Sequence, residues 1–273
     1  MYYMKPNIRQ ATKNLLLRLF SNADLYPTRL TDIKEVHSLL ASLHPLELDQ
    51  PLIRFGPRGD GGYLIPDDLD GISACYSPGV NRICGFEIDC ALRGMKVFLA
   101  DASVEKPAEQ NKLFHFTKKN IGVTSGNDSM TLDDWIQNSS EDTESDLMLQ
   151  MDIEGCEYEV ILSTPTEQIK RFRIIVVEFH WLEQLWNRPF FSLANRAFEK
   201  LLETHICVHI HPNNACGYIE SNGIKLPVTM EFTFASKARF SPCGYQQTFP
   251  HPLDFDNVPN ESLPLPDCWY RMI

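Results

Sequence analysis

The sequence predicts an α/β fold built on a mainly parallel sheet, and three observations carry that prediction. From Leu52 onward, short apolar runs alternate with segments of helical periodicity. In one of these runs Leu147, Met148, Leu149 and Met151 are apolar on both parities, as in a central strand covered on two faces. The last two predicted strands have no helix between them, which calls for one antiparallel strand at the end of the sheet. With 273 residues, 43% of them apolar, the chain can build a full core for one such domain with extra segments.

Residues 1–50 read as a helical N-terminal segment. Leu15, Leu16, Leu17, Leu19 and Phe20 are interrupted by Arg18, a run too short for a signal-peptide core or a membrane span. It is expected to pack on the domain as an amphipathic helix, the alternative being a peripheral membrane contact or the contact of a homodimer. In Thr31–Leu43 the apolar positions Ile33, Val36, Leu39, Leu40 and Leu43 follow a three/four spacing, with Thr31 or Asp32 as N-cap and Pro45 as the stop.

Residues 51–240 form the expected main domain. Ile53–Phe55 and Gly62–Ile65 are predicted strands flanking the turn Gly59-Asp60-Gly61-Gly62. Strands follow at Ala74–Ser77, Lys96–Ala100, Leu113–Lys118, Leu147–Met151, Ile174–His180, Ile206–His211 and Thr229–Ala235. Helices are expected at Cys84–Arg93, closed by Gly94, at Thr131–Asn138, capped by Thr131, and at Glu157–Leu162 and Phe191–Thr204. The stretch Pro212–Pro227 reads as a polar loop joining the last two strands. Residues 241–273 carry six prolines and little periodicity, so they are expected to lie as an extended C-terminal arm on the domain, anchored by Trp269-Tyr270.

Composition narrows the partners. The net charge is −11 and the longest basic cluster is Lys118–Lys119, which does not suit a nucleic-acid binder whose affinity comes from neutralising phosphates. A small molecule fits better. The eight cysteines form no C-x-x-C pair, the pattern of reduced thiols in a cytoplasmic protein. No stretch approaches the ~18 apolar residues of a transmembrane helix.

Ligands of open α/β sheets bind beyond the carboxyl ends of the strands, so the residues delivered there are the candidates. The first main strand delivers Ser77-Pro78-Gly79, where a glycine lets backbone approach a ligand closely. No G-x-G-x-x-G is present, which argues against a dinucleotide loop. The second delivers Asp101, a ribose-binding position or simply a helix cap. The fourth delivers Asp152, followed by Glu154 and Glu157, which read as caps of the next helix. The fifth ends in Glu178 and His180, expected on one face, and the sixth carries His209 and His211 on one face. Glu231 lies near the start of the last strand. Two chemistries suit this set. One is general-base catalysis by a histidine or carboxylate. The other is a divalent metal held by Asp152, Glu178, His180 and His211. A satisfied polar network without catalytic role is the bland alternative.

The combination Asp60-Gly61-Gly62-Tyr63, Tyr76-Ser77-Pro78-Gly79-Val80 with Phe86-Glu87, Val97–Asp101, Thr131-Leu132-Asp133, Asp152-Ile153-Glu154-Gly155 and Val177-Glu178-Phe179-His180 resembles the FkbM-type methyltransferases. These are a branch of the class I fold that uses S-adenosylmethionine. The resemblance spans Leu52 to Pro266. It implies a Rossmann-like, seven-stranded sheet of order 3-2-1-4-5-7-6 and transfer of a methyl group from S-adenosylmethionine to the oxygen of a carbohydrate, glycoconjugate or natural product. It places Ser77 and Gly79 by the methionine part of the cofactor, with Asp60 available for the ammonium group and Glu87 in the same binding set. Asp101 would meet the ribose, Ile121-Gly122 the adenine, and Asp152 the sulfonium. Asp152, His180 and His211 are then the expected catalytic residues. The Ser77-Pro78-Gly79 loop departs from the acidic multi-glycine loop common in such proteins, and Pro78 removes a backbone donor there. Two other readings compete: a metal-dependent hydrolase or lyase using Asp152, Glu178, His180 and His211, and a catalytically silent protein that binds a glycan.

Overall fold

A seven-stranded sheet organises the chain, whose computed structural model describes residues 8–22, 26–80, 83–139 and 144–271. The sheet strands are β1 (Ile72–Pro78), β2 (Lys96–Ala100), β3 (Phe114–Thr117), β4 (Asp146–Met151), β5 (Phe172–Phe179), β6 (His205–Pro212) and β7 (Met230–Ser236). Across the sheet they run β3-β2-β1-β4-β5-β7-β6. Neighbours are parallel except β7, which pairs antiparallel with both β5 and β6. The carboxyl ends of the six parallel strands and the start of β7 therefore share one edge.

The longer helices that accompany the sheet are α1 (Ile8–Ser21), α2 (Ile33–Ser42), α3 (Gly85–Leu92), α4 (Leu132–Ser139), α5 (Glu157–Ser163) and α6 (Arg188–Thr204). One face of the sheet packs against α4, α5 and α6 in a core that includes Tyr76, Leu149, Trp135, Tyr158, Phe179 and Phe198. The other face packs against α3 and the hairpin Leu52–Phe55/Tyr63–Pro66. Leu147, Met148, Leu149 and Met151 divide between these two cores, which is why β4 is apolar on both parities. Asp32 caps α2 by accepting the Lys34 N–H at 2.9 Å.

Three expectations need correction. The run Leu15–Phe20 does not pack on the domain: Leu15, Leu16, Leu19 and Phe20 are 40–60% exposed on α1. The predicted loop Pro212–Pro227 contains a second hairpin, Tyr218–Ser221 with Ile224–Pro227. Its turn is Asn222-Gly223, both at positive φ (52° and 77°), the backbone of a type I′ turn that Asn-Gly favours. The segment after residue 240 is also not wholly without regular structure: Pro242–Tyr245 pairs antiparallel with Leu46–Leu48. Beyond it the chain runs over the carboxyl end of β6 and the start of β7, and it buries Trp269 fully against Phe232.

Candidate active site

At the end of β4 the chain turns through Asp152-Ile153-Glu154-Gly155 before α5 begins at Glu157. Glu154 takes a left-handed conformation (φ 58°) and Gly155 follows at φ 105°. A left-handed non-glycine residue costs ~1–2 kcal/mol, so neighbours must hold it. Glu157 does so. Its fully buried carboxylate accepts the N–H groups of Ile153 (3.1 Å) and Gly155 (3.0 Å). The same oxygen lies 3.1 Å from His180 Nδ1, just beyond β5. Trp181, also left-handed at φ 60°, lays its ring over Gly155, where a Cβ would come within 2.4 Å of it. The two strand ends are thus locked against each other. His180 Nε2 is left facing Glu154 Oε2 (3.5 Å) and Asp152 Oδ1 (3.8 Å). Asp152 Oδ1 is buried and has no hydrogen-bond partner. The expectation that Glu154 caps a helix is corrected: it stands in the turn, exposed, beside the imidazole. Glu157 closes the turn, as a cap would, and also orients His180.

Gly79 serves a purpose other than the one expected. At φ 87°, its position would put a Cβ 1.5 Å from the Asp152 carbonyl oxygen, so the glycine is needed for the approach of the β1 and β4 chain ends to each other. Gly79 still borders a small cavity of about 50 Å³, together with Asp60, Glu87, Gln150 and Asp152. Ser77 stands behind this cavity, fully buried, with Oγ 2.5 Å from Glu87 Oε1 and 2.7 Å from Gln150 Oε1. A hydroxyl has one proton to give, so one of these contacts takes its proton from Glu87. That agrees with a Glu87 carboxyl pushed up to about 7 by burial. Gln150 in turn donates to Tyr63 Oη at 3.3 Å.

Asp101 and Ile121-Gly122 occupy the next corner of the same edge. Asp101 accepts the Ser103 N–H and hydroxyl at 2.7 and 2.6 Å. Asn120 Oδ1 accepts the Ala102 N–H (3.4 Å), which ties this loop to Ile121-Gly122. Ile121 is buried in the core, while an added Cβ on Gly122 would meet nothing within 4 Å.

Glu178 and His211 do not join the Asp152–His180 cluster. Glu178 accepts from Asn213 Nδ2 at 2.9 Å, and His211 Nδ1 lies 3.7 Å from Asp254 of the C-terminal segment. The donor atoms that do gather, within 4.8 Å of one another, belong to Asp152, Glu154 and His180. The expected metal set Asp152, Glu178, His180 and His211 is corrected accordingly. Strand parity placed Glu178 and His180 on one face, but β5 stops at Phe179 and the left-handed Trp181 turns the chain away.

The cluster is rich in acid. Burial, then Glu178, push the Asp152 carboxyl up to about 8. Burial opposes a charge on His180, yet Glu157, Asp152 and Glu178 outweigh it and push the imidazole up to about 9. Burial also raises Glu178, and it raises Glu231 to about 8. Four site residues were not read as such from the sequence: Gln150, Tyr63, Asn213 and Asp254. Gln150 is visible as the single polar residue in the apolar run Leu147–Met151, and Tyr63 as the last residue of the Asp60-Gly61-Gly62-Tyr63 motif.

Residues 86–220 match the family model described as the Methyltransferase FkbM domain. No curated protein matches. Among solved structures, the N-methyltransferase NodS from Bradyrhizobium japonicum WM9 aligns with a TM-score of 0.35 at 10% identity, covering 74% of this chain and 95% of that one. A variant of the 16S rRNA (adenine(1408)-N(1))-methyltransferase from Catenulisporales acidiphilia aligns with a TM-score of 0.30 at 9% identity, covering 69% and 98%. Likenesses this distant say nothing about the reaction. Over residues 86–220, a span that holds the Asp152–His180 cluster, the chain belongs to the FkbM methyltransferase family.

Proposed function

We propose that the chain is an S-adenosylmethionine-dependent O-methyltransferase acting on a hydroxyl of a carbohydrate, glycoconjugate or natural product. The observation that carries this reading is the Asp152–Glu157–His180 constellation beside the acidic cavity of Asp60 and Glu87. The residues fit a cofactor with a cationic end. A cavity of about 50 Å³ suits one small group such as a methyl-bearing sulfonium or an ammonium, and carboxyl groups border it. The nucleoside would extend outside it, toward Asp101 and Ile121-Gly122 on the same edge. When bound, S-adenosylmethionine supplies an electrophilic methyl group.

The remaining chemistry belongs to the chain. The acceptor hydroxyl must lose its proton, and His180 Nε2 is the basic atom held in place by Glu157 from the far side of the ring. In the free protein His180 and Asp152 both hold protons at neutral pH. A positive charge placed beside Asp152 favours release of one of them, which leaves the pair able to accept a proton. Trp181 and Gly155 fix the turn on which this geometry depends.

Isothermal titration with S-adenosylhomocysteine tests the reading. We expect saturable binding that Asp152→Ala weakens at least tenfold. An absence of binding to the folded protein, with or without divalent metal, overturns it. A second reading, a divalent cation held by Asp152, Glu154 and His180, is favoured by the clustering of their donor atoms. Titration with Mn²⁺ in the same experiment decides it: binding lost in His180→Gln supports the metal, and no heat at millimolar Mn²⁺ removes it.

A further inference from the structure

The sixth strand and the C-terminal segment build a second polar cluster that the Asp152 site does not use. Asp254, whose side chain is 4% exposed, sits between two histidines of β6. Its Oδ1 lies 2.9 Å from His209 Nε2, and its Oδ2 lies 3.7 Å from His211 Nδ1 and accepts the His251 N–H at 2.7 Å. Both carboxylate oxygens are therefore engaged. The other ring nitrogen of His211, Nε2, is buried without a hydrogen-bond partner on a residue only 8% exposed. His211 lines a cavity of about 360 Å³ between the end of β6 and the C-terminal segment. That volume falls in the range of small-molecule pockets.

The walls define the occupant. Ile210, Phe249, Phe255, Leu263 and Leu265 make most of the lining apolar. The two acids that border it are already satisfied: Asp254 by the histidines, and Asp256 by the Ser262 hydroxyl at 2.6 Å. An anionic ligand would find no lysine or arginine on these walls. An uncharged, mainly apolar molecule would bury its surface against the rings, with His211 at the polar end of the wall.

Position relates this cavity to the first site. In the cross-strand register, Glu178 of β5 pairs with Glu231 of β7, and Glu231 pairs with His211 of β6. Asp152 follows the end of β4, one strand before β5. Three strand spacings separate Asp152 from His211, about 14 Å along the same edge.

We infer that the cavity beneath the C-terminal segment holds the apolar part of the methyl acceptor. The acceptor is then an amphiphilic alcohol whose reacting hydroxyl lies near Asp152 and His180, and whose uncharged body extends to His211. The role of acceptor rests on the methyl-transfer reading, whereas the pocket and the chemistry of its occupant do not. His211 is a positioning residue in this scheme, oriented by Asp254.

Fluorescence titration of the full chain with 1-naphthol, an uncharged aromatic alcohol, tests the pocket. We expect saturation at sub-millimolar concentration. Leu263→Glu, at a partly exposed wall position, should weaken binding at least tenfold, and Leu265→Glu should do the same if Leu263→Glu lowers the melting temperature. His211→Gln should weaken it three- to tenfold. Affinity for S-adenosylhomocysteine should be unchanged in Leu263→Glu. No saturation, wild-type affinity in both leucine variants, or tighter binding of methyl β-D-glucopyranoside than of 1-naphthol overturns the inference. If 1-naphthol binds as expected while S-adenosylhomocysteine does not bind the wild-type chain, the methyl-transfer reading fails and the pocket stands.

Discussion

Two carboxylate–histidine clusters lie on one edge of the sheet, and they carry opposite charge balance. At the β4/β5 ends, Asp152, Glu154 and Glu157 surround a single imidazole, His180, with Glu178 close enough to add its charge. At the β6 end, a single carboxylate, Asp254, is shared by His209 and His211. Both Asp152 and Asp254 are pushed upward by burial. Asp152 rises to about 8, because Glu178 adds to burial and one histidine is too little to offset it. Asp254 stays well below the ordinary carboxylate range, because two histidines overcome the same penalty. The number of partners, more than burial, decides which carboxyl is charged.

The largest expected difference follows from this. Removing the carboxylate of Asp254 leaves two histidines facing an emptied buried position, and breaking a buried pair costs about 3–5 kcal/mol. For a chain of this size that lowers the melting temperature of Asp254→Ala by roughly 10 °C. Asp152 already holds a proton at neutral pH, so Asp152→Asn, which keeps the shape and neutrality, should change stability by less than about 0.5 kcal/mol. Calorimetry on the two variants checks both statements. Equal losses in the two would dissolve the distinction between the clusters. Binding of S-adenosylmethionine, whose sulfonium is cationic, should weaken at least tenfold in Asp152→Asn despite its intact fold.

A smaller effect separates orientation from charge in the first cluster. Glu157→Gln keeps an oxygen for the Ile153 and Gly155 N–H groups but removes the charge at His180 Nδ1. Burial, which opposes the imidazolium, then counts for more, and the His180 pKa should fall from about 9 by one to two units. Each unit corresponds to about 1.4 kcal/mol. The pH dependence of the His180 ring-proton NMR shifts reads this directly. An unchanged midpoint would mean that Asp152 and Glu178, rather than Glu157, hold the proton.

The two clusters also differ in how far the sequence foretold them. The first is made by residues close in the chain to strand ends, and strand ends are visible as apolar runs that stop. Asp152 and His180 were legible for that reason. Their exact company was not, because Glu154 and Trp181 adopt left-handed backbone that no residue preference signals. The resemblance to a methyltransferase family pointed to Ser77, but not to its burial behind Glu87 and Gln150. In the second cluster, His209 and His211 were legible as a pair on one face. Asp254 was not, since it lies 43 residues beyond His211 in a segment without periodicity, and only tertiary contact brings it there. The Asn222-Gly223 hairpin shows the reverse case: its turn dipeptide is visible in the sequence, although the polar residues around it read as a loop.

The finest test concerns the ground between the clusters, where Glu231 of β7 is faced by His211 from β6, Glu178 from β5, Asn257 from the C-terminal segment and Arg54 from the hairpin. Burial outweighs His211 and pushes Glu231 up to about 8, above its ordinary value of 4.5. A carboxyl raised on folding binds more protons in the folded chain than in the unfolded one. Its stabilising contribution is complete below about pH 4.5 and is lost as pH rises toward 8. Glu87, raised to about 7, acts in the same direction, as does His211, which is also raised. Asp254 acts oppositely, but only below its unfolded value of 3.8. The melting temperature should therefore fall as pH is raised from 5 to 9. Glu231→Gln, uncharged throughout, should remove a slope of about 1 kcal/mol per pH unit between pH 5 and 8. Thermal melts of the two proteins at five pH values measure it. A pH slope left unchanged in Glu231→Gln would show that Glu231 is ionised in the folded protein, with His211 and Arg54 together balancing it.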